Sequence, residues 1–271
     1  MNSSSRRIDS VTRWDGTTAA LSSDEVACEE PLEIRVRGRA ISITMRTPDH
    51  DDELAAGFLL SEGLIHRRAD VLKIEPCDRN QDGNLINVIL APEVPVDFPK
   101  LTRHVFASSS CGLCGKATID SVRGKFAAID GELRIPAAKI TALPEIMRQT
   151  QSTFDRTGGL HAAAIFNDRG ELIVLREDVG RHNAVDKVIG HCLLHDLVPL
   201  SQHILLVSGR TSFEILQKAL AARIAIIAAV SAPSSLAVEF AEDSGQTLIG
   251  FLRASRMNVY THPHRVRFDP T

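Results

Sequence analysis

The second half of the chain alternates short apolar runs with helical stripes, and this constrains the fold more than any other feature. Strand Ile204 to Val207 leads to helix Phe213 to Ala221, strand Ile224 to Ala229 to helix Ser234 to Phe240, and strand Thr247 to Leu252 closes the series. Upstream, a helix from Ala137 to Phe154 precedes strands Leu160 to Phe166 and Leu172 to Leu175. A helix then carries the stripe Ala184, Val185, Val188, Ile189, Cys192 and Leu193. Apolar runs this short read as strands buried on both faces. Strands separated by helices need crossover connections, so the expectation is an α/β fold with a largely parallel sheet covered by helices.

The first half is a smaller α+β part. Leu32, Ile34 and Val36 alternate with charges, Ile41, Ile43 and Met45 with polar residues, and Gly38-Arg39 marks a hairpin turn between them. Acids from Asp49 to Glu53 load the start of a helix, where the dipole favours them, and Gly63 ends it. A strand spans Leu85 to Leu90. Residues 1–30 are rich in Ser, Thr, Arg and Asp without a hydrophobic period and read as a flexible tail. The organisation expected is therefore a tail over 1–30, an α+β part over 31–136 and an α/β domain over 137–271.

Composition narrows the function. A net charge of -3 gives no general attraction to nucleic acid or to an anionic membrane, so any anion site must be local. No run approaches the ~18 apolar residues of a membrane span, and the polar start has no signal core; a cytoplasmic protein is expected. Five cysteines, an odd number, argue against a disulfide framework.

In such sheets, ligands bind in the loops beyond the carboxyl ends of the strands. Three loops of this kind are Arg176 to His182, Ser208-Gly209-Arg210-Thr211-Ser212 and Ser231 to Ser235. Each joins small or hydroxyl residues to a helix N-terminus, which seats anions. Arg181 and Arg210 add two-pronged donors for phosphate. The competing reading is plain helix capping, and Thr211 with Glu214 has the spacing of a capping box. A further segment, Phe251 to Arg256, places Arg253 and Arg256 around a turn; from the residues alone it is a hairpin with solvated charges.

Cys111-Gly112-Leu113-Cys114 lies in a Ser/Gly-rich stretch with no packing stripe, beside Lys116. Three readings compete. A structural zinc site needs four ligands, and the chain has no second Cys-x-x-Cys, leaving His161, His182 or Cys192 to contribute. A thioredoxin-like pair normally opens a helix after a strand, and no such strand is evident. A sulfur relay needs an exposed thiolate and a partner thiol, which this stretch offers. His161 precedes Ala162-Ala163, so a zinc deaminase's His-x-Glu is missing its glutamate. His161 is either a ligand contact or a satisfied core histidine.

Together these segments resemble the FdhD family, the formate dehydrogenase accessory sulfurtransferases. The resemblance rests on Glu53 to Leu59, Ser109 to Gly115, Thr157 to His161, Glu177 to Lys187, Ser208 to Arg210 and Val259 to Pro263. It implies a cytidine-deaminase-like C-terminal fold, a homodimer, and sulfur taken from a cysteine desulfurase as a persulfide on Cys111, with Cys114 as partner. It also implies delivery to the molybdenum (or tungsten) bis(molybdopterin guanine dinucleotide) cofactor as bound substrate, before that cofactor enters formate dehydrogenase. A guanine nucleotide is expected in the same site. The family's cofactor segment maps onto Phe251, Leu252, Arg253, Ala254, Ser255 and Arg256, with His161, Asp178, Arg181, Ser208 and Arg210 completing the expected pocket. Two alternatives stand beside the relay: a non-catalytic escort for the cofactor, and a zinc-dependent nucleotide hydrolase or deaminase.

Overall fold

The computed structural model describes residues 4–76, 83–98 and 126–268. Cys111 and Cys114, with Lys116, lie outside the described residues.

The chain opens with an antiparallel ribbon, β1 (Ser5–Trp14) against β2 (Ala19–Ala27), where composition suggests a tail. The ribbon is mostly exposed on both faces, so its strands carry no apolar alternation to read. It is tied down at its base, where Arg156 Nε donates to Glu25 at 2.9 Å.

A four-stranded sheet follows, ordered β4-β3-β6-β5, from β3 (Glu30–Val36), β4 (Arg39–Arg46), β5 (Val71–Pro76) and β6 (Leu85–Leu90). Arg37 and Gly38 join β3 to β4 with φ of 50° and 79°. Two positive φ values make the turn whose twist matches paired strands. The pairing slips between Ile34 and Arg35, leaving Ile41 as an extra, buried residue. The slip turns Ile43 and Met45 outward, where they are 54% and 45% exposed, although alternation places them with Ile41. Helix α1 (Asp51–Ser61) then carries Asp51, Asp52 and Glu53 in its first turn, as expected.

A short strand, β7 (Ile135–Pro136), leads into α2 (Ala137–Thr150) and α3 (Ser152–Thr157). The single helix read over 137–154 is broken at Gln151, whose ψ of 72° is not helical. The central sheet has the order β13-β12-β11-β10-β8-β9. Its strands are β8 (His161–Asn167), β9 (Leu172–Asp178), β10 (His203–Val207), β11 (Ile226–Ala229), β12 (Thr247–Arg253) and β13 (Arg256–Val259). Helices α4 (Arg181–Leu194), α5 (Phe213–Ala221) and α6 (Ser235–Asp243) connect them. The sheet is mixed rather than largely parallel. Only β10-β11-β12 run parallel, while β8 pairs antiparallel with β9 and β10, and β12 with β13. The β8–β9 and β12–β13 connections are too short for a crossover and enforce hairpins.

The core is continuous across the boundary read at residue 136. β14 (Val266–Arg267) pairs with β7, and α1 packs on α4. The two helices cross at Gly57 and Gly190, where an added Cβ would lie 1.9 Å from the Asp186 carbonyl oxygen and 1.8 Å from that of Glu53. Only a residue without a side chain lets the backbones approach this closely.

Candidate functional site at the carboxyl edge of the central sheet

Strands β9, β10, β11 and β12 share one direction, so their carboxyl ends and following loops gather along one edge, with the start of antiparallel β8 among them. Hydrogen bonds stitch the edge together. His161 lies opposite Asp178, and Ser208 Oγ accepts from the Ala162 N–H at 2.9 Å. The Thr211 N–H donates to the Ala232 carbonyl at 3.2 Å, and the Phe251 N–H to Ser231 at 3.1 Å. The structure therefore brings His161, Asp178, Arg181, Ser208, Arg210 and the Phe251 to Arg256 turn to one edge.

The residues differ in what they can contact. Asp178 is fully buried, and protein donors occupy its carboxylate: Lys187 Nζ at 2.7 Å, Gly180 N at 2.8 Å, Asn183 Nδ2 at 3.0 Å and Thr47 N at 3.1 Å. Its expected place among the cofactor contacts is corrected accordingly: it anchors the Asp178 to Arg181 loop against the Thr47 corner. Leu252 is likewise core, with no exposed surface. Phe251, Arg253, Ala254, Ser255 and Arg256 are exposed. Their turn is a bulged hairpin in which Phe251 and Ala254 adopt φ of 51° and 48°. Side-chain-bearing residues rarely sit there, and such strain clusters at ligand clamps.

Arg181, Arg210, Arg253 and Arg256 form no ion pair among the described residues. The Nε of Arg181 is buried without a hydrogen-bond partner there. His161 is packed against Gly209, where a Cβ would stand 3.3 Å from its Nδ1. Burial, and then the charges of Arg181 and Arg210, push its pKa below the ordinary histidine value. Its ring is neutral at neutral pH.

The helix ends separate the two readings of the three loops. Ser234 caps α6 conventionally, accepting the Ala237 N–H at 3.2 Å. Neither α4, which begins after Gly180, nor α5, which begins after Ser212, has a side-chain cap. The Thr211–Glu214 capping box is not formed. The N-cap falls one residue later, Thr211 Oγ1 is buried without a partner among the described residues, and Glu214 faces His182 at 3.5 Å. Sequence reasoning missed this link between the two loops, although His182 stands in the Glu177 to Lys187 stretch. Cys192 is fully buried, and burial pushes its thiol up to about 12.

A cavity of about 230 Å³ lies beside β9, lined by Thr47, His50, Thr153, Arg176 and Lys187 among others. Its cations are already engaged, Arg176 by Glu53 at 2.6 Å and Lys187 by Asp178 at 2.7 Å. Arg181, Arg210, Arg253 and Arg256, without ion pairs among the described residues, lie at the carboxyl edge instead.

Fold and edge together define a mixed α/β protein that, among the described residues, has arginines without ion pairs and two helix N-termini without side-chain caps at the carboxyl end of its central sheet. The chain matches the FdhD/NarQ family over residues 27–267 and belongs to that family. It is 50% identical over 251 residues to the sulfur carrier protein FdhD of Streptomyces avermitilis, covering 90% of this chain and 89% of that protein. It is 49% identical to the sulfur carrier protein FdhD of Mycobacterium tuberculosis, covering 91% and 95% of the two chains. A crystal structure of a candidate formate dehydrogenase accessory protein from Desulfotalea psychrophila superposes with a TM-score of 0.81 at 27% identity, covering 98% of this chain and all of that one.

Proposed function

We propose that this protein is a sulfur carrier for formate dehydrogenase maturation. It accepts sulfur on Cys111 from a cysteine desulfurase and passes it to the molybdenum or tungsten bis(molybdopterin guanine dinucleotide) cofactor held at the carboxyl edge. The names of its relatives and its membership of the family support this reading. The observation that carries it is the set of arginines without ion pairs among the described residues, Arg181, Arg210, Arg253 and Arg256, on the edge that also holds the N-termini of α4 and α5, which lack side-chain caps. That arrangement suits the pyrophosphates of a guanine dinucleotide, and of GDP as a simpler occupant.

In the first step the Cys111 thiolate attacks the outer sulfur of the desulfurase persulfide. One S–S bond forms as another breaks, and the desulfurase thiolate leaves. Delivery to the metal releases that sulfur as sulfide when the Cys114 thiolate attacks Cys111 and closes a disulfide. A dithiol reductant then reopens the pair. Reduced thiols favour a cytoplasmic setting. A cytidine-deaminase-like arrangement of the C-terminal sheet and a homodimer belong to the same proposal.

Intact-protein mass spectrometry after incubation with an active cysteine desulfurase and cysteine tests the relay. Wild type gains sulfur that a reductant removes, and Cys111→Ala does not. No added sulfur on wild type, Cys111→Ala or Cys114→Ala would overturn the relay and leave a non-catalytic escort of the cofactor.

A further inference from the structure

Helix α5 starts at a residue with the geometry to cap it, yet it is uncapped. Ser212 has φ -107° and ψ 168°, the extended backbone of an N-cap, and serine is among the preferred caps. Ser234, with φ -84° and ψ 160°, shows the usual result: its hydroxyl accepts the Ala237 N–H at 3.2 Å. The Ser212 hydroxyl instead lies 3.2 Å from Nε2 of His182. Nδ1 of His182 faces Glu214 Oε2 at 3.5 Å. Burial holds the pKa of His182 down at about 4, so the ring is neutral at neutral pH. Either tautomer of the neutral ring engages the Ser212 hydroxyl; the one that points Nδ1–H at the Glu214 carboxylate leaves Nε2 to accept from the serine.

Apolar and hydroxyl side chains pack around this helix end, while Ser212 and Glu214 are half-buried. Phe213 and Ile215 in the first turn are buried. Thr211, directly before the cap, is 1% exposed, and its hydroxyl has no partner among the described residues. Nearby, Arg181 Nε is likewise buried and unpartnered. Helix N-terminal donors without a side-chain cap are completed by an outside acceptor, water or an anion.

We propose that His182 is a positioning residue for the ligand edge: by engaging the Ser212 hydroxyl it keeps the first-turn N–H groups of α5 open to a phosphate group. The proposal rests on the anion-binding reading of the edge given above. A serine free to cap would compete with phosphate for the same donors, and a ligand would first have to displace it.

The test is a double-mutant cycle on the full chain, with GDP and inorganic pyrophosphate as probes in calorimetry and thermal unfolding of the ligand-free protein. A typical cap corresponds to about a fivefold change in an equilibrium constant. His182→Ala should therefore bind both probes about fivefold more weakly, and His182→Ala/Ser212→Ala should recover to within about twofold of wild type. Without ligand, Ser212→Ala should lower Tm by about 2–4 °C in the His182→Ala background and by little in the wild-type background. A double variant binding as weakly as His182→Ala, or equal Tm losses in both backgrounds, would overturn the proposal. Wild type binding neither probe would instead overturn the anion-edge reading, while the Tm cycle would still decide whether His182 withholds Ser212.

Discussion

Arg181 concentrates what distinguishes the edge. It opens α4, its Nε is buried without a partner among the described residues, and its charge lowers the pKa of His161. A planar guanidinium held in place loses little freedom on forming paired bonds to phosphate. Arg181→Ala should weaken GDP binding about tenfold or more, the size of a charge-assisted hydrogen bond. Arg181→Lys should not restore it, because a point charge cannot reproduce the fork. Arg156→Ala, which breaks contacts to Glu25 and Ser5 of the ribbon and to the Ser152 carbonyl, all away from the edge arginines, should bind as wild type. Calorimetry of the three variants decides, and an unchanged Arg181→Ala would remove Arg181 from the site. At this scale the sequence groups residues that the fold brings to one edge but does not show which of them are exposed there. Asp178 and Leu252 sit beside the half-buried Arg181 helix start and the exposed Phe251 to Arg256 turn, yet both are fully buried. Chain order alone does not show that Lys187 and the Thr47 corner claim the Asp178 carboxylate.

Among the elements, the most legible were those with one wet face or a fixed turn. The β3–β4 hairpin follows from alternation and Gly38, and α5 matches its expected span, Phe213 to Ala221. The antiparallel β8 was not anticipated, because direction is set by the length of the connection rather than by the apolar run. The ribbon of β1 and β2 was unreadable for lack of a buried face. Helix α4 hides a different feature: polar Asn183, Asp186 and Lys187 are buried along with its apolar stripe, Asp186 under α1 and the other two against the Thr44 to Thr47 corner. That covering depends on the Gly57–Gly190 crossing. Gly57→Ala should drive a methyl into the Asp186 carbonyl and separate the helices, costing about 3 kcal/mol or more. Gly131→Ala, where the space is open and φ is not positive, should be close to neutral. Urea unfolding of both variants measures the contrast, and equal stability would mean that the helices do not approach this closely in solution.

Over the whole molecule, buried charge joins the N-terminal part to the central sheet. Lys218 pairs with Asp186 at 2.8 Å, and Asp186 also accepts from Ser61 of α1. Glu53 of α1 binds Arg176 of β9 and His191 of α4. Removing one member of such a pair strands the other in a poorly solvated interior. The same burial acts on histidines that lack a strong enough counter-charge. His50, His161, His182 and His203 all have pKa values lowered by desolvation, His182 to about 4. Around His182 the carboxylate of Glu214 favours the charged ring, but burial and the charges of Lys218 and Arg181 oppose it, joined by His161 once its own ring is protonated. A histidine kept neutral in the folded state contributes stability that is complete above the unfolded value near 6.5. As pH falls toward 4, only the unfolded chain takes up the proton, so stability declines across that interval and levels off below it. For His182 the loss is about 2 kcal/mol between pH 7 and pH 5, a range above most carboxylate titration. Wild type should therefore show a falling urea midpoint from pH 7 to pH 5, and His182→Gln a shallower fall over the same range, whatever its stability at pH 7. Parallel slopes would mean that His182 titrates alike in the folded and unfolded chains. The neutral ring on which its hold over Ser212 depends would then be absent over the acid half of that range.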